Sequence, residues 1–596
     1  MLGAGVAIVF VAAVAWVGVR AIVAASALQT IDAEVSAVTD EKTPSEGPST
    51  DTGLAEGDDD ISWSALGALV PRLPSLAADA GRAASAADDP IWRAAEAIPG
   101  VGANLRTLRV VAEESDTLLS DTALPLLEAV DVERAGLTTA EGVDLGAVDR
   151  LAGRVSMAAE TAKGSLVRLE ALEADEPAGV LPATTDAAAR LTRLAAAAAG
   201  ALAPAADLAG AASSVLGGAG ERQYLAMFLT PAELRSSGGL PGAAAVFRAE
   251  GGAVERGEIY STRDFSPAPA QPVLALTETE LALYGNRPAR LIQDTTATED
   301  FGRAALFASA LTRLHHGFTP DGVLAVDVVA LAYLLDAIGP VSLASGEILD
   351  AENAPALLMN EVYLRHPDPR DQDAFFADVA ERVFDAVLGG GLDPLDVLGA
   401  VARAAGEGRV LVWSADPSVQ SALDRLTTVG DGEPGAAALG VYLNDRTSAK
   451  MDFYLEPEAS VVWTACEDTR LDQVRVGLVN AVDPGVVPSL PWYITGGGQN
   501  VPEGVISTQI IAIGPPGGSV RSTEGPEPDA VIVGEDRRSR VAWVVDLAPG
   551  EEASRTVVFT SPLTSADVPD VDSTPAVEPT VDESVGALSE SCRLGG

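Results

Sequence analysis

Positive charge is scarce in this 596-residue chain. It has 39 lysine and arginine residues against 86 aspartate and glutamate residues, a formal net charge of -47 at pH 7, and its lysines are Lys42, Lys163 and Lys450. Proteins that bind nucleic acid, or a membrane surface through a polybasic patch, need positive charge facing phosphate. The composition therefore excludes nucleic-acid binding as a bulk property, and any anion site must be a local arrangement of arginines.

Histidine and cysteine are equally scarce. The three histidines are His315, His316 and His366, and no Cys-x-x-Cys pair occurs. The residue types that hold zinc therefore do not cluster, and no zinc site is indicated. The two cysteines, Cys466 and Cys592, are compatible with one disulfide if the chain is exported, and with two buried free thiols otherwise.

A long apolar run lies at the N-terminus. Leu2 to Val19 is eighteen residues without a charge, and a second apolar run continues to Leu28. About 20 apolar residues span a bilayer, whereas the apolar part of a secretory signal is roughly 7–15 residues long. The pattern favours an uncleaved single-pass anchor at residues 1–28, with the rest of the chain outside the cell. A signal peptide cleaved near Ala25-Ser26-Ala27 is the alternative.

Two segments of contrasting composition follow. Residues 29–62 are polar and acidic and are expected to form a linker, because they bury too little apolar area to fold. Residues 63–216 are alanine-rich, with leucines at a spacing that predicts a helical bundle or stalk. The predicted stripes are Leu105, Leu108, Val111 and Ala112; Leu151, Val155, Ala158 and Ala159; and Leu191, Leu194, Ala195 and Leu202, with breaks at Pro99-Gly100-Val101-Gly102 and Glu176-Pro177.

Residues 221–405 alternate short apolar runs with helical patterns, which predicts an α/β domain. The predicted strands are Tyr224 to Leu229, Ala243 to Phe247, Val254 to Tyr260 and Asp321 to Asp327, and the turn Glu250-Gly251-Gly252 joins the second to the third. The predicted helices are Phe301 to Leu314, Val328 to Ala337, Glu352 to Met359 and Ala374 to Leu388.

Residues 409–561 contain short β-rich runs between Gly- and Pro-rich turns, which predicts a β-sandwich. The runs are Val410 to Trp413, Leu439 to Leu443, Met451 to Leu455, Ser460 to Thr464, Gln473 to Val479, Ile506 to Ile513, Arg540 to Val545 and Thr556 to Phe559. Residues 562–596 are rich in Asp, Pro, Ser and Thr, so we expect a mostly disordered tail unless Cys592 is pinned. The predicted fold class is α+β and multidomain.

The strongest chemical signal lies in the loop after the first predicted strand. Arg235-Ser236-Ser237-Gly238-Gly239 combines a guanidinium, two hydroxyls and permissive backbone, which suits a phosphate or another oxyanion. A glycine turn with a surface arginine is the alternative.

Further candidate ligand residues follow the later strands. They are Arg263 and Asp264 after the hairpin, Asp327 at a strand end, and Arg365, Arg370 and Gln372 in a loop before a helix. That last group is alternatively a helix start capped by Asp371 or Asp373. We expect the candidate side chains to line one cleft of the α/β domain.

Four segments resemble an actinobacterial family known as a domain of unknown function, DUF4012. They are ELRSSGGLPG, STRDF, DGVLAVDVVALAYLLDAIGPV and GVYLNDRTSAKMDFYL. The resemblance runs from the anchor to the sandwich, and Pro231 to Gly242 is its most specific part. It implies an architecture more than an activity.

The order of elements also resembles the LytR-CpsA-Psr family of membrane-anchored enzymes, which transfer glycopolymers from polyprenyl pyrophosphate carriers to peptidoglycan. In this resemblance Arg235 matches the first arginine, Arg263 and Asp264 the second motif, Asp327 the strand-end aspartate, and Arg365, Arg370 and Gln372 approximately the third motif. It implies Mg²⁺ held by carboxylates and phosphate oxygens. Ser237 stands where that family has a metal-binding aspartate.

Three functions are open at this point. The first is phosphoryl transfer of a lipid-linked glycan, with the arginines neutralising pyrophosphate and Asp264 acting as metal ligand or base. The second is non-catalytic binding of a polyprenyl or glycan phosphate during export or assembly of envelope polysaccharide, next to other envelope-assembly proteins. The third is a structural surface protein. A shared cleft with arginines from loops more than 100 residues apart favours the first two.

Overall fold

The computed structural model describes residues 70–134, 138–139, 142–174, 180–388, 394–427, 439–466, 469–563, 571–576 and 581–582. The predicted anchor and acidic linker, the break at Glu176-Pro177 and Cys592 lie outside the described residues. By their contacts the residues form two units, Met1–Ala219 with Gly251–Ala253, and Gly220–Glu250 with Val254–Gly596.

The first unit is mainly helical. Leu105, Val111 and Ala112 are buried, as the spacing predicts, and the Trp92 indole is buried and donates to the carbonyl oxygen of Leu105 at 3.1 Å. The helices are α1 (Leu73–Ala87), α2 (Pro90–Ala95), α3 (Gly102–Asp116), α4 (Leu124–Arg134), α5 (Leu145–Ala174) and α6 (Pro182–Val215), with a π-helical segment at Thr117–Ala123 and a small hairpin of β1 (Thr138–Thr139) and β2 (Gly142–Val143).

Helices α5 and α6 pack along each other. Among the described residues, α6 is the one helix long and apolar enough to cross a membrane: it has 34 residues, a mean hydropathy of 1.4, and 11% of its most apolar window is buried. Only the length and composition of α6 indicate a membrane span, and core helices of soluble proteins can have the same length and composition.

A mixed five-stranded sheet lies at the start of the second unit. Its strands are β3 (Arg222–Thr230), β4 (Leu240–Glu250), β5 (Ala253–Ser261), β6 (Gly322–Asp327) and β9 (Val410–Ser414), in the order β5-β4-β3-β6-β9. The turn between β4 and β5 has positive φ at Gly251 and Gly252, which suits a tight hairpin. Strands β3 and β6 are parallel, and β9 runs antiparallel to β6. The predicted hairpin and the strand before Asp327 are confirmed.

Helices and turns connect the strands of this part of the chain. They are α7 (Glu278–Tyr284), α8 (Phe301–His316), α9 (Val328–Ile338), α10 (Ala354–Ala356), α11 (Val362–Arg365), α12 (Pro369–Leu388), α13 (Pro394–Gly406) and α14 (Pro417–Thr427), with a π-helical segment at Leu357–Glu361, 3-10 turns at Thr262–Phe265 and Ile292–Ala297, and a strand pair of β7 (Val341–Ser342) and β8 (Ile348–Leu349). Helices α8 and α9 follow the predicted bounds closely.

Two predictions in this region are wrong. The run Val410 to Trp413 belongs to the first sheet as β9 and not to the sandwich, because its backbone pairs with β6. Helix α12 starts at Pro369 and not at Ala374, so Arg370 and Gln372 lie in its first turn. Proline at the first helical position explains the earlier start, since it lacks only a donor that this position leaves unpaired.

Two further five-stranded sheets form a sandwich. One has the order β15-β16-β13-β10-β18 and the other β14-β17-β12-β11-β19. Trp543 and Ile510 of the first sheet and Val474 and Phe559 of the second belong to one buried cluster. The strands are β10 (Leu439–Asp445), β11 (Leu455–Cys466), β12 (Thr469–Asn480), β13 (Ile506–Ile513), β14 (Ser519–Glu524), β15 (Ala530–Val533), β16 (Ser539–Leu547), β17 (Glu552–Pro562), β18 (Val571–Ser573) and β19 (Val581–Asp582), with a short helix α15 (Trp492–Thr495).

The structure also revises two details near the sandwich. The predicted strand Met451 to Leu455 is a 3-10 turn that leads into β11. Part of the tail is ordered, because β18 pairs with β10 in one sheet and β19 pairs with β11 in the other. Cys466 is the last residue of β11, and since Cys592 lies outside the described residues, the predicted disulfide stays a prediction. The prediction of a mixed α and β protein is confirmed.

Candidate functional site at the carboxyl edge of the mixed sheet

The candidate loop follows β3 at the edge where β6 also ends. Leu229 of β3 pairs with Asp327 of β6, so the loop after Thr230 and the side chain of Asp327 start at the same level of the sheet. The carboxyl edge of parallel strands is the usual ligand site of α/β sheets. The candidate loop and Asp327 therefore lie at the edge of the sheet where a ligand site is usual.

Close backbone approach explains the glycines of this loop. A Cβ added to Gly239 would lie 2.6 Å from the carbonyl carbon and oxygen of Thr230, and Gly238 has a φ of +110°. Backbone hydrogen bonds from Leu240 to the oxygen of Glu233, and from Ser237 to the oxygen of Thr296, hold the loop folded. The glycines therefore serve a tight return of the chain into β4.

Arg235 points into the protein and not into a cleft. It is 4% exposed. Its Nη2 lies 3.1 Å from Glu233 Oε1 and 3.1 Å from Asp294 Oδ1, and its Nη1 donates to the carbonyl oxygen of Leu234 at 2.8 Å. The carboxylate of Asp445 lies 3.8 Å from Nη1. Burial alone would lower the pKa of Arg235, but Glu233 and Asp294 outweigh it and raise the pKa.

Lys450 extends this buried network. Its Nζ donates to Glu233 Oε2 at 2.6 Å and lies 5.8 Å from the ring centre of Tyr363, which stacks on Tyr493. Burial alone would raise the pKa of Glu233, but Lys450 and Arg235 hold it below its ordinary value. The one lysine that the sandwich contributes is therefore used inside the protein.

Two further carboxyl groups of this network have raised pKa values. Burial and repulsion by Glu233 raise the pKa of Asp445 to about 7. Burial and Asp445 raise the pKa of Asp452 well above its ordinary value. Asp452 accepts a hydrogen bond from the Leu234 backbone at 2.7 Å through Oδ2, while no described residue donates to its Oδ1. The carboxylates of Glu233, Asp294 and Asp445 face the cations of Arg235, Lys450 and the half-exposed Arg287.

The end of β10 holds the middle of the loop. Asn444 accepts from the Ser236 backbone at 3.1 Å and donates to the Ser236 hydroxyl at 2.9 Å. The backbone of Asp445 donates to the oxygen of Leu234 at 2.9 Å. The Ser237 hydroxyl donates to the oxygen of Thr298 at 2.7 Å. Both hydroxyls that the sequence suggested for a phosphate are therefore engaged within the protein: that of Ser236 with Asn444 of the sandwich, and that of Ser237 with Thr298.

Asp327 is likewise engaged within the fold. Its Oδ1 accepts from the Ala330 backbone at 2.7 Å and caps α9, and its Oδ2 accepts from Arg409 Nη1 at 3.0 Å. Arg409 also donates to Glu407 at 2.6 Å. Burial raises the pKa of Asp327 despite the opposing charge of Arg409. This pair lies inside the protein, whereas we expected Asp327 at the edge of a cleft.

The other candidate residues lie elsewhere. Arg263 forms an ion pair with Asp373, and its side chain is 52% exposed. Asp264 accepts from the backbone of Ser261 at 2.7 Å and from its hydroxyl at 3.0 Å, which caps a 3-10 turn. The carboxylate of Asp264, which the sequence suggested as catalytic, is therefore bound to Ser261 within the same turn.

The three residues of the third predicted motif do not lie together. Arg365 pairs with Glu347 at 2.7 Å and with Glu361 on the surface. Gln372 is buried and donates to the carbonyl oxygen of His366 at 2.8 Å, while Arg370 is exposed one turn before Asp373. The expectation of one shared cleft is wrong, because Arg235 is buried among its own carboxylates and the other arginines are exposed. Only Arg263 and the start of α12 come together.

The residues do not fit the Mg²⁺ that the LytR-CpsA-Psr resemblance implies. Ser237 gives its hydroxyl to a backbone oxygen, Asp264 is held by Ser261, and Asp327 is paired with Arg409. Among the described residues, no group of three or more His, Cys, Asp or Glu side chains could hold a metal ion. A phosphotransferase mechanism through Mg²⁺ therefore has no support at this edge.

Sequence reasoning missed the buried charge network around Arg235. The carboxylates of Glu233, Asp294 and Asp445 neutralise Arg235, and Lys450 shares Glu233 across 217 residues of sequence. Asp452 accepts from the backbone of Leu234. The scarcity of lysine was the one available signal, because Lys450 stands between β-rich runs in a chain with almost no other lysine. Pairing it with Glu233 needed the tertiary structure.

The fold and the site together define a class of protein: a mixed α/β domain whose carboxyl edge is closed by a β-sandwich through buried ion pairs. Within it, residues 219–363 match a family described as a protein of unknown function, DUF4012. The match contains the loop of Arg235 together with Arg263, Asp264 and Asp327, so the predicted resemblance to this family is confirmed for that segment. No curated protein matches the chain.

Proposed function

We propose that this chain is a structural protein of the cell envelope, whose α/β domain and sandwich form one rigid unit that spaces or joins other envelope components. The single observation that carries the proposal is the burial of Arg235 among Glu233, Asp294 and Asp445. The most specific segment of the chain is thereby used to connect two domains.

Ion-pair energetics support this function over a ligand site. A phosphate at Arg235 would have to displace carboxylates that already neutralise the guanidinium in a buried setting. Removing one partner from a buried pair costs about 3–5 kcal/mol, which the ligand contacts would have to offset. Ser236 and Ser237 would also have to leave Asn444 and Thr298.

Location is the second part of the proposal. The apolar run at residues 1–28 is long enough for a single-pass anchor, and the net charge of -47 suits an exported chain more than one that binds nucleic acid. The resemblance to an actinobacterial family and to envelope enzymes agrees with an extracytoplasmic location. Partners are then the membrane and other envelope proteins.

Native mass spectrometry of the detergent-extracted full chain with a short polyprenyl phosphate tests the structural role. We expect the wild-type chain and the Arg263→Ala variant to retain the same low level of lipid. Saturable lipid binding that Arg263→Ala abolishes would refute the purely structural role.

Binding of a phosphate-bearing lipid-linked glycan is the second candidate, and one observation favours it. The ion pair of Arg263 with Asp373 brings the second predicted motif to the first turns of α12, close to exposed Arg370. A helix N-terminus with two arginines suits an anion. If this function holds, Arg263→Ala and Arg370→Ala each weaken binding at least tenfold, about 1.4 kcal/mol, while Arg365→Ala leaves it unchanged.

A further inference from the structure

Residues 571–576, here called the tail strap, lie along the open side of β10. Strand β18 pairs in parallel with β10, with Val571, Asp572 and Ser573 opposite Leu439, Gly440 and Val441. This segment supplies the last strand of its sheet, although the chain leaves the other sheet at the end of β17. The strap therefore joins the sandwich as a short extended peptide added to a sheet edge.

Thr574 makes the most specific contacts of the strap. Its backbone donates to the oxygen of Val441 at 3.1 Å, and its hydroxyl accepts from the Leu443 backbone at 2.9 Å. The same hydroxyl donates to the carbonyl oxygen of Ser236 at 3.1 Å. One hydroxyl thus connects β10 to the loop of Arg235, and it is buried.

The strap residues on either side of Thr574 make further specific contacts with the rest of the protein. Asp572 accepts from the Tyr442 hydroxyl at 2.7 Å. A Cβ at Gly238 would lie 3.2 Å from Pro575, so the strap lies directly against this glycine. The carbonyl oxygen of buried Ala576 accepts from Arg409 Nη2 at 2.8 Å.

We propose that the β10 edge, the loop of Arg235 and Arg409 form a docking site for an extended peptide of the pattern Asp-x-Thr-Pro-Ala, and that its resident occupant is the chain's own strap. Main-chain pairing supplies affinity, and the pockets for Asp572 and Thr574 supply specificity. Because the strap covers the carboxyl edge of the mixed sheet, its release would open that edge. This docking site goes beyond the structural role proposed above, and both use the loop of Arg235.

Attachment to the same chain explains how so short a segment stays bound. Eight residues, 563–570, separate the strap from the end of β17 at Pro562. A short tether makes docking intramolecular, with an effective concentration on the order of millimolar. A free peptide of the same sequence therefore competes only when the resident strap is disabled.

The test uses the full chain with its own strap disabled by Asp572→Lys and Thr574→Lys, and a fluorescent peptide of residues 569–578. We expect saturable binding to this variant, no binding to the wild-type chain, and at least tenfold weaker binding of a peptide carrying Thr574→Val. A scrambled peptide is the control. The proposal would be overturned if the folded variant does not bind the peptide, or if the wild-type chain binds it as tightly as the variant does.

Hydrogen exchange of the wild-type chain supplies a second measurement if the double variant fails to fold. We expect the Thr574 amide to exchange through a local opening that leaves the amides of β13 protected. Exchange of the Thr574 amide only together with global unfolding would show that the strap is a fixed core strand, and the docking proposal would then fail.

Discussion

At the scale of single residues, the surroundings of Arg235 decide whether its loop is a phosphate site or a structural contact. A guanidinium beside serines and glycines is as suitable for a phosphate as for buried carboxylates, and only its neighbours distinguish the two. In the fold it has Glu233 and Asp294 at 3.1 Å, and Lys450 shares Glu233. Its role depends on Asp294 and Lys450, which lie far from it in the sequence, as well as on nearby Glu233.

Replacing Arg235 by Met is expected to lower the free energy of unfolding of the second unit by roughly 3–5 kcal/mol, because it leaves buried carboxylates without their counter-charge. Urea denaturation followed by tryptophan fluorescence measures the change. Arg365→Met is the matched control, since its exposed pairs contribute less than about 1 kcal/mol. Equal midpoints for the two variants would contradict a stabilising role of the network.

Asp445 gives the network a pH dependence. Its pKa of about 7 lies above its ordinary value of 3.8, so the folded chain binds the proton more tightly than the unfolded chain does. The stability from this group is fully present below 3.8 and is lost as the pH rises to about 7. The raised pKa of Asp452 acts in the same direction, whereas the lowered pKa of Glu233 acts only below 4.5.

We therefore expect the free energy of unfolding to decrease between about pH 4 and pH 7. Asp445→Asn should flatten this slope, because the amide does not titrate. Denaturation midpoints at several pH values across that window provide the measurement. A variant with the slope of the wild-type chain would assign the pH dependence to other groups.

At the scale of elements, the return of the chain from β3 to β4 depends on Gly239. The Cβ of Gly239→Ala would lie 2.6 Å from the backbone of Thr230, so the loop would have to move away from Asn444 and Asp445. We expect a loss of about 1–3 kcal/mol, measured as a lower denaturation midpoint.

Gly242→Ala is the control for this prediction. The nearest atoms to its Cβ lie at 3.9 Å and 4.0 Å, which is ordinary van der Waals distance. We expect a much smaller change than for Gly239→Ala. If both variants are equally stable, the close approach at Gly239 does not limit the loop.

At the scale of the whole molecule, two segments are candidates for a membrane anchor, as far as length and composition show. Residues 1–28 carry no charged side chain apart from Arg20, whereas α6 carries Asp186, Arg190 and Arg193 in its first half and packs against α5. We expect deletion of residues 1–28 to release the chain from the membrane fraction, because charged groups at the bilayer centre cost several kcal/mol, about 2.5–3.5 each.

Fractionation followed by immunoblotting measures this release, and a full chain with Asp186→Asn is the control that should stay in the membrane. Retention of the chain without residues 1–28 would make α6 the anchor. Protease treatment of intact cells then reports which side of the membrane holds the second unit.

The local patterns were sufficient for most elements of the second unit. Alternating apolar residues and turn glycines predicted β3, the hairpin of β4 and β5, and β13, since side-chain periodicity and positive φ are properties of the nearby sequence. The same patterns misplaced β9, because a short β-rich run does not encode which sheet it pairs with. The tail strap was missed because its order comes from contacts with β10 and not from its own composition.

The sequence by itself determined the acidic character, the scarcity of lysine, most helices and strands, and a glycine-rich loop after the first strand of an α/β domain. Only the tertiary structure decided that the carboxyl edge of the mixed sheet, where this loop lies, is closed. Arg235 meets Asp294 across 59 residues, and Glu233 meets Lys450 across 217. Coulomb interactions and burial act through space, so the chemistry of a charged residue is set by which distant segments the fold brings against it.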